Sequence, residues 1–178
     1  EVAGGYGNGT FYYIHPEWKI DGRNELSYYY EEYRDYLHDV LIEMANFENV
    51  AGITMDFGRY PYTFGKECPD VAERTRIMNE FVKSVREDMP EGKKLNVRVL
   101  TPTNIKADPY GLDYKTWVNE GWVDRVIISV QGHETFFDVT QYANFFNDPT
   151  NNPHDVEFYV GIVASLSGHD TTKAEEES

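Results

Sequence analysis

Short apolar runs alternate with amphipathic stretches along this chain, and that alternation sets the elements it predicts. The first run, Thr10-Phe11-Tyr12-Tyr13-Ile14, ends at His15-Pro16-Glu17 and predicts a strand. A polar loop through Asp21, Gly22, Arg23 and Asn24 follows. Tyr33, Leu37, Val40, Leu41 and Met44 then recur at spacings of three and four, which predicts a helix over 30–46. Residues 50–57 are nearly all apolar until Asp56 and predict a second strand. A long loop, 58–69, leads into a helix over 70–89 whose stripe holds Val71, Met78, Phe81, Val82 and Val85. Further strands are predicted at 95–100, 124–130 and 158–163. Between them lie a short helix capped by Asp113, carrying Trp117 and Val118, and a helix over 138–146.

Strands and helices in strict alternation are the pattern of parallel βα units. An eight-unit barrel takes about 250 residues, or roughly 31 per unit, so 178 residues hold between five and six units. An open doubly wound sheet places a glycine-rich turn after its first strand. Here Gly4, Gly5, Gly7 and Gly9 precede that strand and lack the fingerprint spacing. The expected fold is therefore α/β of the (β/α)8 TIM-barrel type, as an incomplete barrel of about five βα units in one domain over 1–178. The expectation extends to a fragment of a longer chain, short of about two strands at its start and one at its end.

Composition narrows the partners. Sixteen Lys and Arg against 31 Asp and Glu leave a net charge of −15, with no basic patch to displace counterions from nucleic-acid phosphates. No apolar run approaches the roughly 18–20 residues of a membrane span. Cys68 is the single cysteine, which excludes an internal disulfide and a cysteine-based zinc site. The five histidines show no HExxH or other ligand spacing, so neither a catalytic metal nor a cofactor is expected. An aromatic content of 15% argues against a disordered acidic tail. Nothing in the sequence speaks to oligomeric state.

In a parallel barrel, functional groups gather where strands end and the next loops begin. Those positions hold His15 and Glu17, Asp56 and Arg59, Arg98 and Thr101, then Gln131, His133 and Glu134, and lastly Ser165. Asp56 is the most informative. It closes an apolar strand with Arg59 three residues on, a carboxylate beside a guanidinium at the barrel mouth. A nucleophile or a stabiliser of a sugar cation uses that arrangement. A structural Asp–Arg pair tying down the loop is the other reading. Arg98, in mid-strand, needs a partner, and both Asp56 and Asp124 are candidates. Arg34, near a helix start, reads as a structural anchor. Tyr60, Tyr62, Phe64 and Trp18 fall in loops at the mouth, where ring faces stack on sugars or pack the loops down.

The stretch Leu26-Ser27-Tyr28-Tyr29-Tyr30-Glu31-Glu32-Tyr33-Arg34-Asp35-Tyr36, then Ala51-Gly52-Ile53-Thr54-Met55-Asp56-Phe57-Gly58-Arg59-Tyr60-Pro61, resembles the family-10-like glycosyl hydrolase proteins. Those proteins carry a PEVRDY-type helix start followed by a DGIELDFMRxP-type strand. Asn96-Val97-Arg98-Val99, Gly111-Leu112-Asp113-Tyr114-Lys115-Thr116-Trp117 and Gly121-Trp122-Val123-Asp124 resemble the blocks that follow. The likeness covers roughly residues 11–163, with its blocks in order. Two positions depart from it: Ala51 stands where the family has Asp, and Gly58 where it has Met. The resemblance implies a (β/α)8 barrel, a carbohydrate substrate and a periplasmic or secreted location.

A glycosidase needs a second carboxyl across the scissile bond. Glu134 follows the 124–130 strand, two strands after Asp56, and the rings of Phe136 and Phe137 beside it suit a proton donor. Families with a nucleophile on the fourth strand and an acid on the sixth would match, if 10–14 is strand three. Glu17 is the competing choice, and His133 could assist either. The catalytic pair is thus expected to be Asp56 and Glu134, with His15, Glu17, Arg59, Tyr60, Arg98 and His133 binding substrate. A barrel that binds saccharide without cleaving it is the alternative.

Overall fold

The computed structural model describes residues 10–58, 61–100, 110–129 and 138–161. The chain runs through α1 (Thr10–Ile14), a 3₁₀ turn (Pro16–Trp18), α2 (Glu31–Ala45), β1 (Gly52–Asp56) and α3 (Val71–Asp88). It continues through β2 (Lys94–Leu100), α4 (Tyr114–Asn119), β3 (Arg125–Ser129), α5 (Thr140–Asn147) and β4 (Glu157–Gly161). Local chemistry starts and ties the helices. The Asp70 carboxylate accepts from the Ala72 N–H at 2.9 Å and opens α3. Asp113 does the same for α4 through the Thr116 N–H at 3.3 Å. Trp117 is fully buried, and its indole N–H donates to Asn79 Oδ1 at 2.6 Å, joining α4 to α3. Ile77, Met78, Phe81, Val82 and Val85 bury the inner face of α3. Each fully buried large side chain contributes about 1.5–3 kcal/mol.

The four strands form one all-parallel sheet in the order β1-β2-β3-β4. Each strand lies beside its neighbour in sequence, whereas a doubly wound sheet reverses direction at a switch point. The fold is mixed α/β. Side chains alternate across the sheet. Ile53, Met55, Leu95, Val97, Val99, Val126 and Ile128 are buried in one core with the helix residues Tyr33, Leu37, Phe81, Val82, Val85 and Trp117. The intervening positions, among them Thr54, Asp56, Asn96, Arg98, Arg125 and Tyr159, face the other way and are exposed or half-buried.

Most predicted elements are present within a few residues of their expected ends. Residues 10–14 are the exception: they form helix α1, not a strand. A five-residue run dominated by apolar side chains does not distinguish the two. Tyr13 and Ile14 are 66% and 58% exposed, so the segment lacks the burial a parallel strand needs, and a single helical turn bonds its backbone locally. The described sheet therefore has four strands rather than five. Met44 and Val71, expected on apolar stripes, are exposed at the ends of their helices.

Candidate functional site

Strand register builds the polar face row by row. Thr54, Asn96, Arg125 and Glu157 are partners across the four strands. One pleat nearer the C-terminal ends stand Asp56, Arg98, Ile127 and Tyr159, and above them Leu100, Ser129 and Gly161. In the lower row Arg125 donates to Glu157 Oε2 at 2.8 Å, and Asn96 reaches the Thr54 hydroxyl at 3.4 Å.

The middle row holds a connected set of polar bonds. Arg98 Nη1 lies 2.9 Å from Asp56 Oδ2, and Arg98 Nε donates to the Ser129 hydroxyl, also at 2.9 Å. The other oxygen of Asp56 accepts from the Gly58 N–H at 2.8 Å. The carboxylate is thus held by a guanidinium on one side and a backbone amide on the other, both charge-assisted bonds. It remains accessible, with its side chain 46% exposed beside an Arg98 that is 29% exposed. Of the two partners open to Arg98 from sequence, Asp56 has it. Asp124 is engaged by Arg86, by Lys94 at 3.0 Å and by the Leu95 N–H at 2.9 Å.

Ser129 carries no sequence signal, being a serine at the end of an apolar strand. Its role shows only in the register and in its surroundings. A Cβ on Gly58 would stand 3.0 Å from both Arg98 Nε and Ser129 Oγ, and one on Gly161 would stand 2.8 Å from the Ser129 Cβ.

Loops at this end of the sheet are stitched together. The Tyr28 N–H donates to Thr63 O at 2.8 Å, and the Thr63 hydroxyl donates to Tyr110 O at 2.6 Å. Ser27 donates to Glu67, which also accepts from the Gly65 N–H at 2.8 Å. Arg34 donates to the carbonyls of Tyr28 and Tyr29, the anchoring role expected of it.

The other sequence candidates divide. His15 and Glu17 pair with each other, Nδ1 to Oε1 at 2.8 Å, on the loop that leads to α2. Bonds from its own backbone N–H and from His15 hold the Glu17 carboxyl below its usual range. The His15 ring stacks on Trp18 at 3.6 Å. Trp18 and Phe64 are each 6% exposed and belong to the core, so they offer no open ring face. Tyr62 is half-buried, with the Arg23 guanidinium 3.2 Å from its ring centroid and the Tyr110 ring edge-on. Arg59, Tyr60, Thr101, Gln131, His133, Glu134 and Ser165 lie outside the described residues.

A cavity of about 240 Å³ opens at the opposite, N-terminal end of the strands, lined by Gly52, Lys94, Asn96, Asp124, Arg125 and Glu157. Its charges are spent on one another: Lys94 on Asp124, Arg125 on Glu157. At the C-terminal end, by contrast, the Asp56 carboxylate is paired and still reachable from solvent. Glu157 opens β4 at the N-terminal end. Among the described residues no group of three or more His, Cys, Asp or Glu is placed to hold a metal. No described helix is long and apolar enough to cross a membrane. No protein-family model matches the chain, and no curated protein matches it.

Proposed function

We propose that the protein is a glycoside hydrolase of the (β/α)8-barrel type, acting on a polysaccharide or glycan. Asp56 serves as the ionised carboxylate at the reacting sugar and Glu134 as the proton donor. The observation that carries this reading is the setting of Asp56. It stands at the C-terminal end of a parallel strand, is reachable from solvent, and is oriented by Arg98 and the Gly58 N–H. A sheet wound in one direction, with helices packed on one face and polar rows on the other, agrees with the wall of a barrel. The likeness of the Asp56 segment to the family-10-like glycosyl hydrolase proteins supports the same reading. In this scheme Arg98 steadies the carboxylate, and Arg59, Tyr60, His133, His15 and Glu17 contact the sugar. Carboxyl groups about 5–5.5 Å apart would give retention, and a wider gap inversion.

The test is hydrolysis of a glycan panel by the protein, beside Asp56→Asn and Glu134→Gln. Cleavage that both substitutions suppress supports the assignment; turnover that survives Asp56→Asn overturns it. A saccharide-binding barrel without activity is the second reading. What favours it is that Asp56 is the one carboxylate at the C-terminal end of the described polar face. Binding of a glycan without cleavage would select it.

A further inference from the structure

We infer that Ser129 is a positioning residue for the Asp56 carboxylate, acting through Arg98, and that Gly58 and Gly161 exist to leave room for it. The inference rests on the role proposed above for Asp56. Ser129 is fully buried at the end of β3, and its hydroxyl accepts from Arg98 Nε at 2.9 Å. A guanidinium is planar and rigid, so fixing Nε fixes the direction in which Nη1 points. That direction is toward Asp56 Oδ2 at 2.9 Å. Arg98 alone has a long flexible stem, and a half-exposed ion pair would not by itself hold one geometry. The buried hydroxyl supplies the second point of attachment.

The two glycines bound this arrangement from either side. A methyl at Gly58 would sit 3.0 Å from both the Arg98 Nε and the Ser129 Oγ, closer than either atom tolerates without moving. A methyl at Gly161 would sit 2.8 Å from the Ser129 Cβ. Neither glycine has the positive φ that would otherwise require the residue. Space around the Arg98–Ser129 bond is the reason the structure offers for both. Gly58 also donates its N–H to Asp56 at 2.8 Å, so one residue both holds the carboxylate and clears the guanidinium. Catalytic groups work when their supporting bonds hold them to within a fraction of an ångström.

Two measurements on the whole chain test this. The first is hydrogen exchange of the Arg98 Nε–H by NMR, its signal identified by loss in Arg98→Lys. Exchange should be slow in the parent protein and at least about tenfold faster in Ser129→Ala, because the buried acceptor is gone. Ser129→Cys, which keeps the volume and weakens the acceptor, should fall between, and it serves if Ser129→Ala does not fold. Equal exchange in parent and variant overturns the inference whatever the activity. The second is a double-mutant cycle on glycan turnover. Ser129→Ala should lower kcat about tenfold with KM within about twofold, and should cost nothing further in an Arg98→Ala background. An equal loss in both backgrounds assigns Ser129 a merely structural part and overturns the inference. If Asp56→Asn abolishes turnover and Ser129→Ala leaves it intact, positioning is refuted while the Asp56 assignment stands. If Asp56→Asn leaves turnover intact, or no glycan is cleaved, the hydrolase reading itself falls, and the positioning role with it.

Discussion

Asp56 and Arg98 are register partners across β1 and β2, so their ion pair spans a single strand spacing of about 4.8 Å. Both side chains project from the same face of the sheet because their positions share one parity. Half-exposed pairs of this kind contribute between 0 and about 1 kcal/mol to stability. Asp56→Asn should therefore shift the unfolding free energy by less than about 1 kcal/mol while lowering glycan turnover at least about a hundredfold. Thermal unfolding and turnover measured on one preparation check the separation. A large stability loss would make the pair structural.

Glu134→Gln should raise the barrier by about 3–5 kcal/mol if it removes the general acid, matching the usual 10²–10⁴-fold effect. Substrate binding should persist. The loss should shrink for substrates whose leaving groups need little protonation, which a series of aryl glycosides measures. Unchanged turnover on a natural glycan would pass the role to Glu17.

Asp124 sits at the far end of the sheet, where it links α3, β2 and β3 through Arg86, Lys94 and the Leu95 N–H. Burial opposes its charge, yet bonds from Arg86, the Leu95 N–H and Lys94 hold its carboxyl below the usual value. A group depressed in the folded state stabilises the fold above its unfolded-state pKa, near 4, and loses that contribution as pH falls through the folded value. Asp124→Asn should cost about 2 kcal/mol at pH 7, with the gap to the parent constant down to about pH 5 and closing below about pH 4. Urea titrations at several pH values measure this. A gap independent of pH would mean the charge contributes nothing.

Gly111 has φ +73°, and a Cβ there would stand 2.6 Å from the Arg74 carbonyl on α3. Both the left-handed conformation and the close approach of α3 need glycine. Gly111→Ala should destabilise by more than about 1 kcal/mol. Gly92→Ala is the control, with φ +78° and open space around it, and should cost only about 1 kcal/mol.

The elements longest in sequence were the most legible. Helix α3 announces itself through the spacing of Met78, Phe81, Val82 and Val85, all of them buried, although Val71 of the same stripe is exposed. The run at 10–14 misleads because so short an apolar stretch fits one helical turn as well as a strand. Trp18 and Phe64 sit in loops, which marks them as surface rings, whereas loop residues that pack under the helices are buried by contacts no local pattern records. Asp56 and Arg98 could each be placed at a strand end, but which strand residues face each other is a matter of register, set by long-range pairing. Ser129 was invisible for the same reason. Its neighbours Gly58 and Gly161 come from β1's exit and β4's end, more than thirty residues away from it in either direction.

Strands β2 and β3 have a neighbour on both sides, while β4 has one among the described residues and shows Tyr159 on one face and Val160 on the other. Deuterium uptake should therefore be graded, slowest along Leu95–Val99 and fastest along β4. The gradient bears on the carboxylate at β1. Fraying of β4 would withdraw the Gly161 backbone from beside Ser129 and let water reach the hydroxyl that Arg98 bonds. The aim of Arg98 at Asp56 thus depends in part on a strand three places away, while the Gly58 N–H holds the other oxygen from β1's own exit.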